Sequence, residues 1–145
     1  MTLNTRGKRR EPIPAPVELI LNQSTARTIK LNVHQDSMVG DEVIIKTSLI
    51  DISVSGCSID SPYLIPPGIV FDIKVSMAPF VAGTAKGQEG AMKMTCRITS
   101  CTMKATGHYR LGAKFTKIIK EDQDIIDAFI KANDQRKDQR WNISK

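Results

Sequence analysis

The sequence predicts an all-β fold, a small antiparallel β-barrel that carries one C-terminal α-helix. Apolar and polar residues alternate with a period of two in several short segments, as expected for strands that bury one face. Turns rich in glycine and proline separate these segments, and the helical pattern is confined to the last part of the chain. Periodicity alone fits a sandwich equally well. We expect a barrel because closing the sheet removes its exposed edges.

Five segments carry the strand pattern, and each has a row of residues that should point inward. In chain order, these rows are Val17, Leu19 and Leu21; Ile29, Leu31 and Val33; Ile69, Phe71, Ile73 and Val75; Met92, Met94, Cys96 and Ile98; and Tyr109, Leu111, Ala113 and Phe115. The predicted turns lie at Gly40-Asp41, at Pro66-Pro67-Gly68, between Gly83 and Gly90, and at Thr106-Gly107.

A single amphipathic helix is expected at about residues 121–138. Glu121, Asp122 and Asp124 place negative charge where a helix N-terminus is positive, and the apolar residues that follow fall on one helical face. That face ends near Ile130, and we expect it to cover one mouth or side of the barrel. The barrel and helix together should span residues 15–140, because a chain of 145 residues is near the usual size of one domain.

Composition excludes several classes of protein. No apolar run is long enough to span a membrane and no signal-peptide core is present, so we expect a cytoplasmic protein. GxSxG, Walker and HExxH patterns are absent, which argues against an enzyme. The three cysteines, Cys57, Cys96 and Cys101, lack the spacing of a zinc site, and we expect free thiols with no metal and no cofactor.

The net charge of +6 favours an anionic partner, and its distribution is uneven. Arg6, Lys8, Arg9 and Arg10 place four positive charges within five residues. Glycine and prolines surround them, so residues 1–14 are predicted to form a flexible basic arm. Taken alone, such an arm could be a solvated tail, or it could bind nucleic acid or an anionic membrane nonspecifically.

Two short motifs carry the candidate chemistry. Arg6 and Arg10 are four positions apart, and guanidinium groups can fork onto phosphates or onto the acceptor edge of guanine. In the second motif, Asp51 and Ser53 offer hydrogen-bonding groups, and Gly56 lets a ligand approach the backbone closely. An ordinary Asx or Ser turn between two strands is the structural alternative for this second motif.

In this order, RxxxR at residues 6–10 followed by DxSxxG at residues 51–56 resembles the signature of the PilZ domain family. Residues 64–75, LIPPGIVFDIKV, and residues 110–115, RLGAKF, are similar to later strands of that family, so the resemblance covers nearly the whole chain. The two motifs are further apart than the family pattern leads us to expect. We place the extra length in a hairpin around residues 33–43.

The resemblance implies a six-stranded barrel with a C-terminal helix that binds cyclic di-GMP, a bacterial second messenger. It implies that Arg6 and Arg10 engage phosphate and guanine, and that Asp51 accepts from guanine N–H groups or orients an arginine. Ser53 would hydrogen-bond the ligand, and Gly56 would leave room for it. Further candidates are Arg9 and Ser55. We expect Arg10 and Asp51 to be exposed when no ligand is bound.

The resemblance also implies a function without chemistry: a receptor or adaptor whose arginine arm becomes ordered on binding. The resulting surface would be read by an effector protein in flagellar, pilus or polysaccharide machinery. One alternative is a docking module of the same fold with little or no nucleotide binding. A basic barrel that binds single-stranded nucleic acid is disfavoured, because only 5% of the residues are aromatic and bases need stacking platforms. Monomer and homodimer both remain open.

Overall fold

The computed structural model describes residues 10–31, 37–81 and 90–143. Within these residues the chain forms eight strands, two α-helices and one 3-10 turn. In order they are β1 (Glu11–Pro12), β2 (Pro16–Asn22), α1 (Gln23–Thr28), β3 (Met38–Val39), β4 (Glu42–Ile52), β5 (Gly56–Ser61), β6 (Val70–Ser76), the 3-10 turn (Ala78–Phe80), β7 (Ala91–Met103), β8 (Tyr109–Ile118) and α2 (Lys120–Ile143).

The six longer strands form one closed antiparallel barrel. They pair in the order β4-β2-β6-β7-β8-β5, and pairing of β5 with β4 closes the circle. The two-residue strands β1 and β3 each pair with β4. The predicted all-β fold, a six-stranded antiparallel barrel with a C-terminal helix, is therefore confirmed.

The interior of the barrel is filled by the apolar rows that the alternation predicts. The fully or nearly fully buried members of those rows are Val17, Leu19, Leu21, Phe71, Ile73, Val75, Met92, Met94, Cys96, Ile98, Leu111 and Ala113. Ile69, Tyr109 and Phe115 pack partly buried against this core. All three cysteines are free thiols, as expected.

Helix α2 packs on the barrel through its first three turns. Ile126 and Ile130 are buried, and the ring of Phe129 meets Phe80 edge to face with 5.1 Å between ring centroids. At the start of the helix, the Asp122 carboxylate accepts a hydrogen bond of 3.2 Å from the backbone N–H of Lys93 in β7. In the described part of the chain, neither helix combines the length and the apolar character that a membrane span requires.

The strand predicted at residues 28–33 is wrong. Residues Gln23–Thr28 instead form helix α1, whose N-cap Asn22 accepts a 2.7 Å hydrogen bond from the backbone N–H of Thr25. Asparagine at this position satisfies an otherwise unpaired amide, and the left-handed Lys30 then ends the element with a φ of 56°. This local capping outweighs the alternating pattern. Val33 lies outside the described residues.

The extra length between the motifs contains a hairpin, as predicted. Met38 and Val39 pair with Val43 and Glu42 across a turn in which Gly40 has a φ of 61°. A left-handed residue is required in such a turn, and glycine adopts that conformation without a steric penalty. The preceding residues 32–36 lie outside the described part of the chain.

The barrel begins earlier than residue 15. Glu11 and Pro12 pair with Ile52 and Asp51 of β4, and the Ile13 amide donates a 3.1 Å hydrogen bond to the Ile50 carbonyl. Ile13 is 4% exposed and belongs to the core. Residues 10–14, which the sequence analysis assigned to the arm, thus contact the barrel, while residues 1–9 lie outside the described part.

Candidate functional site

A bulge in β4 directs the second motif to the outer face of the barrel. Leu49 pairs with Ile59, whereas Asp51 pairs with Ser58, so one extra residue of β4 is accommodated between Leu49 and Asp51. Strict alternation from the buried Leu49 would point Asp51 inward. The extra residue reverses that phase, so Asp51 joins Ser58 on the outer face while Ile52 is buried.

Asp51 is held between two arginines. Arg10 Nη1 lies 2.9 Å from Oδ1 of Asp51, and Arg110 Nη2 lies 2.8 Å from Oδ2. Both guanidinium groups also approach Ser58, whose Oγ accepts from Arg10 Nη1 at 3.4 Å and from Arg110 Nη2 at 3.3 Å. Each carboxylate oxygen therefore has its own arginine, and the hydroxyl lies within reach of both.

The three charged groups differ in exposure. The Asp51 side chain is 13% exposed, whereas each arginine side chain is 47% exposed. The expectation that the Asp51 side chain is exposed is therefore wrong, whereas Arg10 is half-exposed. Two cations around one carboxylate leave the cluster with a formal charge of +1, which attracts anions.

The turn that follows Asp51 is held by its own hydrogen bonds. Ser53 is buried, its amide donates to the Gly56 carbonyl at 2.8 Å, and its Oγ lies 3.3 Å from the same carbonyl oxygen. The Ser55 amide donates to Ser53 Oγ at 3.3 Å. These contacts give Ser53 a structural role in the turn. Its contact with a ligand, like that of Ser55, stays a prediction.

Gly56 is required by the packing of the barrel. A Cβ atom at this position would lie 2.2 Å from the carbonyl oxygen of Ala113, because β5 and β8 approach each other closely here. Real Cβ atoms do not come this near to a carbonyl oxygen, so any side chain would push the two strands apart. The glycine of the motif therefore permits strand pairing, whatever room it also leaves for a ligand.

The same turn is tied to two neighbouring elements. The Ser55 carbonyl accepts a 2.9 Å hydrogen bond from the Phe115 amide in β8. The Val54 carbonyl accepts a 3.2 Å hydrogen bond from the side-chain amide of Gln123 in the first turns of α2. A displacement of this turn would therefore be felt at the start of the C-terminal helix.

A second charged cluster lies further along β5. Asp60 Oδ1 is 3.0 Å from Lys104 Nζ, and Asp60 Oδ2 is 3.2 Å from His108 Nδ1. The hydrogen bond from Lys104, aided by His108, holds the pKa of Asp60 below its ordinary value. Asp60 pairs with Arg110 across the β5–β8 ladder, so the two clusters are neighbours on the outer face.

Of the predicted site residues, the structure brings Arg10 directly onto Asp51, with Ser53, Ser55 and Gly56 in the adjoining turn. Arg6 and Arg9 lie outside the described residues. Sequence reasoning missed Ser58 and Arg110. Both occupy outward positions next to buried neighbours, and Arg110 opens the segment of residues 110–115, but no local spacing links either residue to Asp51.

Comparison with known proteins identifies a family for the sequence. A sequence model of the PilZ domain matches residues 6–132. No sequence among curated proteins matches the chain.

Several solved structures have a similar fold. The inhibitor of motility MotI/DgrA from Bacillus subtilis aligns with a TM-score of 0.60 and 11% identity, over 87% of this chain and 50% of that one. YcgR from Escherichia coli, in complex with c-di-GMP, aligns with a TM-score of 0.59 and 14% identity, over 95% of this chain and 50% of that one.

The chain thus spans about half the length of both proteins. The PilZ domain of YcgR with c-di-GMP aligns with a TM-score of 0.54 and 12% identity, over 93% of this chain and 95% of that one. At these identities the structures establish a shared fold. The family model covers most of the sequence and both motifs, and the chain therefore belongs to the PilZ domain family.

Proposed function

We propose that this domain is a receptor for cyclic di-GMP and that the ligand binds on the outer face around Asp51. The observation that carries the proposal is the contact of Arg10 with Asp51, which joins the two motifs across 41 positions of sequence at 2.9 Å. Family membership supports it, as do the structures of YcgR and of Klebsiella pneumonia MrkH in complex with c-di-GMP.

The chemistry of the face suits such a ligand. Cyclic di-GMP has two anionic phosphates, and the O6 and N7 atoms of each guanine accept a bidentate hydrogen bond from arginine. The formal charge of +1 on the cluster attracts the phosphates, and the half-exposed guanidinium group of Arg10 suits either kind of contact. Asp51 would then accept from the guanine N–H groups, the one edge of the base that donates.

Binding requires an exchange of partners. The Asp51 side chain is only 13% exposed between the two guanidinium groups, so we expect one of them to move aside when the nucleotide contacts the carboxylate. We assign this movement to the basic arm, which contains Arg6, Arg9 and Arg10 and would close over the ligand. Ser53, Ser55 and Gly56 would line the edge of the site through the turn that they form.

The output would be a changed surface rather than a reaction. The hydrogen bond from Gln123 to the Val54 carbonyl gives the site a direct connection to α2. We propose that an effector protein of flagellar, pilus or polysaccharide machinery, in the bacterial cytoplasm, binds the surface formed by the closed basic arm and the start of this helix. The domain would act as a signalling adaptor and not as an enzyme.

Calorimetric titration tests the proposal. Wild-type protein should bind cyclic di-GMP saturably, and R10A should weaken binding at least about tenfold, because a charge-assisted hydrogen bond contributes about 1.5–3 kcal/mol. The matched control is R27A, since Arg27 lies in α1 beside the Glu42 end of β4, away from Asp51. Equal affinity of R10A and R27A, or no saturable heat with wild type, would contradict it.

One observation favours a second function. Each carboxylate oxygen of Asp51 pairs with an arginine of the same chain, so the face has a complete set of ion pairs of its own. A PilZ-fold docking module that binds a protein partner without nucleotide would show this closed pairing permanently. Such a module would give no heat with cyclic di-GMP at micromolar concentrations, and its partner would be retained equally with and without the nucleotide.

A further inference from the structure

The two arginines on Asp51 make nearly equal contacts but are supported differently by the fold. Arg110 lies inside β8, where it pairs with Asp60 of β5 on one side and with Thr102 of β7 on the other. Arg10 precedes the two-residue strand β1, which pairs only with β4 among the described strands. The backbone of Arg110 is therefore fixed on both sides, whereas Arg10 lies at the end of a short ladder.

We propose that Arg110 is a positioning residue of the nucleotide site: it keeps Asp51 in place while Arg10 leaves the carboxylate to bind the ligand. The inference rests on the function proposed above. It assigns different roles to the two guanidinium groups, although both lie within 2.9 Å of a carboxylate oxygen of Asp51.

The energetic reason is the poor exposure of Asp51. Its side chain is only 13% exposed, so a departure of Arg10 without another cation would leave a largely covered carboxylate unpaired. Arg110 prevents this, because its Nη2 stays on Oδ2 at 2.8 Å and on Ser58 Oγ at 3.3 Å. Release of Arg10 then opens one oxygen and keeps the other oriented.

Arg110 also sets the charge that the ligand meets. With both arginines the cluster carries a formal charge of +1, whereas Asp51 and Arg10 alone form a neutral pair. In that neutral pair Arg10 would be the main partner of the carboxylate and would be harder to remove. A variant without Arg110 should therefore attract phosphate less strongly and release Arg10 less readily.

The first test compares affinities for cyclic di-GMP by calorimetry in wild type, R110A, R110K and R27A. R110A should weaken binding about tenfold or more, and R110K should recover part of the loss, because lysine restores the charge without the planar fork. R27A should bind as wild type does. Unchanged affinity of R110A would overturn the inference and leave the proposed function standing, whereas no binding by wild type would end both.

The second test separates positioning from direct contact with the ligand. The side-chain Nε–H resonances of both arginines, assigned with R10K and R110K, are followed by NMR as wild type is saturated with cyclic di-GMP. The Arg10 resonance should shift strongly while the Arg110 resonance stays near its position without ligand. An Arg110 shift as large as that of Arg10 would overturn the inference, because Arg110 would then also change partners.

Discussion

At the scale of single residues, Asp51 organises the outer face. It lies on the outer face of the barrel and accepts from Arg10 and Arg110 with one oxygen each. Its removal should therefore change the ligand site more than the fold. A partly exposed ion pair contributes little to stability, whereas in the proposed complex the carboxylate would decide whether guanine is recognised.

Asp51→Asn should abolish tight binding of cyclic di-GMP and cost about 1 kcal/mol or less of the free energy of unfolding. Asparagine keeps the shape of the side chain but loses the charge that pairs with two arginines and that, in the proposed complex, would accept from guanine N–H groups. Calorimetry and urea denaturation measure the two effects. Global unfolding of this variant would instead assign Asp51 to the architecture of the barrel.

Gly56→Ala should reduce the stability of the fold, in contrast to Asp51→Asn, which should mainly reduce ligand binding. Its Cβ would lie 2.2 Å from the Ala113 carbonyl oxygen, so β5 and β8 must separate and the protein should lose about 2 kcal/mol or more of stability. Thermal denaturation measures the loss, with Ser55→Ala as the neighbouring control. A variant that keeps the wild-type melting temperature but does not bind ligand would show that Gly56 serves the ligand alone.

Residue patterns singled out two members of the cluster around Asp51 and gave no indication of the other two. Arg10 and Asp51 stand out because each belongs to a motif with fixed offsets. Arg110 and Ser58 do not, since their proximity to Asp51 arises from the pairing of β4 with β5 and of β5 with β8. Registers of distant strands, and the bulge that turns Asp51 outward, are not encoded in local spacing.

At the scale of elements, period-two alternation predicted four strand segments correctly because each buries one face in the barrel. The exception was residues 28–33, where local hydrogen bonding around Asn22 forms α1 instead of a strand. Helix α2 was located by its acidic start and apolar face, and its buried Ile126 and Ile130 lie where that face requires. The hydrogen bond from Gln123 of α2 to the turn of residues 53–56, here called the motif turn, could not be predicted from the sequence.

Gln123→Ala should loosen the motif turn. Loss of the 3.2 Å hydrogen bond to the Val54 carbonyl should raise amide exchange in residues 53–56 about threefold or more, since one such bond contributes about 1 kcal/mol. Hydrogen exchange with mass spectrometry measures this. Gln23→Ala is the matched control, because Gln23 donates similarly to the Gly40 carbonyl at the other end of the barrel.

Exchange in residues 53–56 that is the same in Gln123→Ala and wild type would show that α2 does not restrain the turn. The route proposed for the output signal would then be wrong, although the ligand site itself would be unaffected.

The β7–β8 hairpin should make stability depend on pH through Asp60. Lys104 and His108 lower the pKa of this carboxyl in the folded protein, so its stabilisation is complete above the unfolded value of about 3.9 and is lost as pH falls through the folded value. In Asp60→Asn, the free energy of unfolding should therefore fall less steeply as the pH is lowered below about 4. Asp124→Asn, at an exposed helical pair with Lys120, should leave this pH dependence unchanged.

Urea denaturation at a series of acidic pH values gives the free energy of unfolding of wild type and of each variant as a function of pH. An Asp60→Asn variant that loses stability on acidification as steeply as wild type would show that protonation of Asp60 does not cause the loss of stability below about pH 4.

At the scale of the whole molecule, a closed barrel provides the rigid support that a small polar site needs. The interior is apolar. At one part of the outer face, Arg10, which directly precedes β1, meets Asp51 of β4, Ser58 of β5 and Arg110 of β8. Ligand binding would then rearrange the basic arm and the motif turn without disturbing the core. The domain would signal through its surface, in keeping with its membership of the PilZ family.

The most direct test of this account is an NMR titration of uniformly labelled wild-type protein with cyclic di-GMP. The account predicts saturable shifts of backbone amides in residues 10–11, 51–58 and 109–111, with little change in α1 and β3 at the other end of β4. Absence of saturable shifts, or shifts centred on α1 and β3, would contradict the claim that the nucleotide binds where Asp51 meets its arginines.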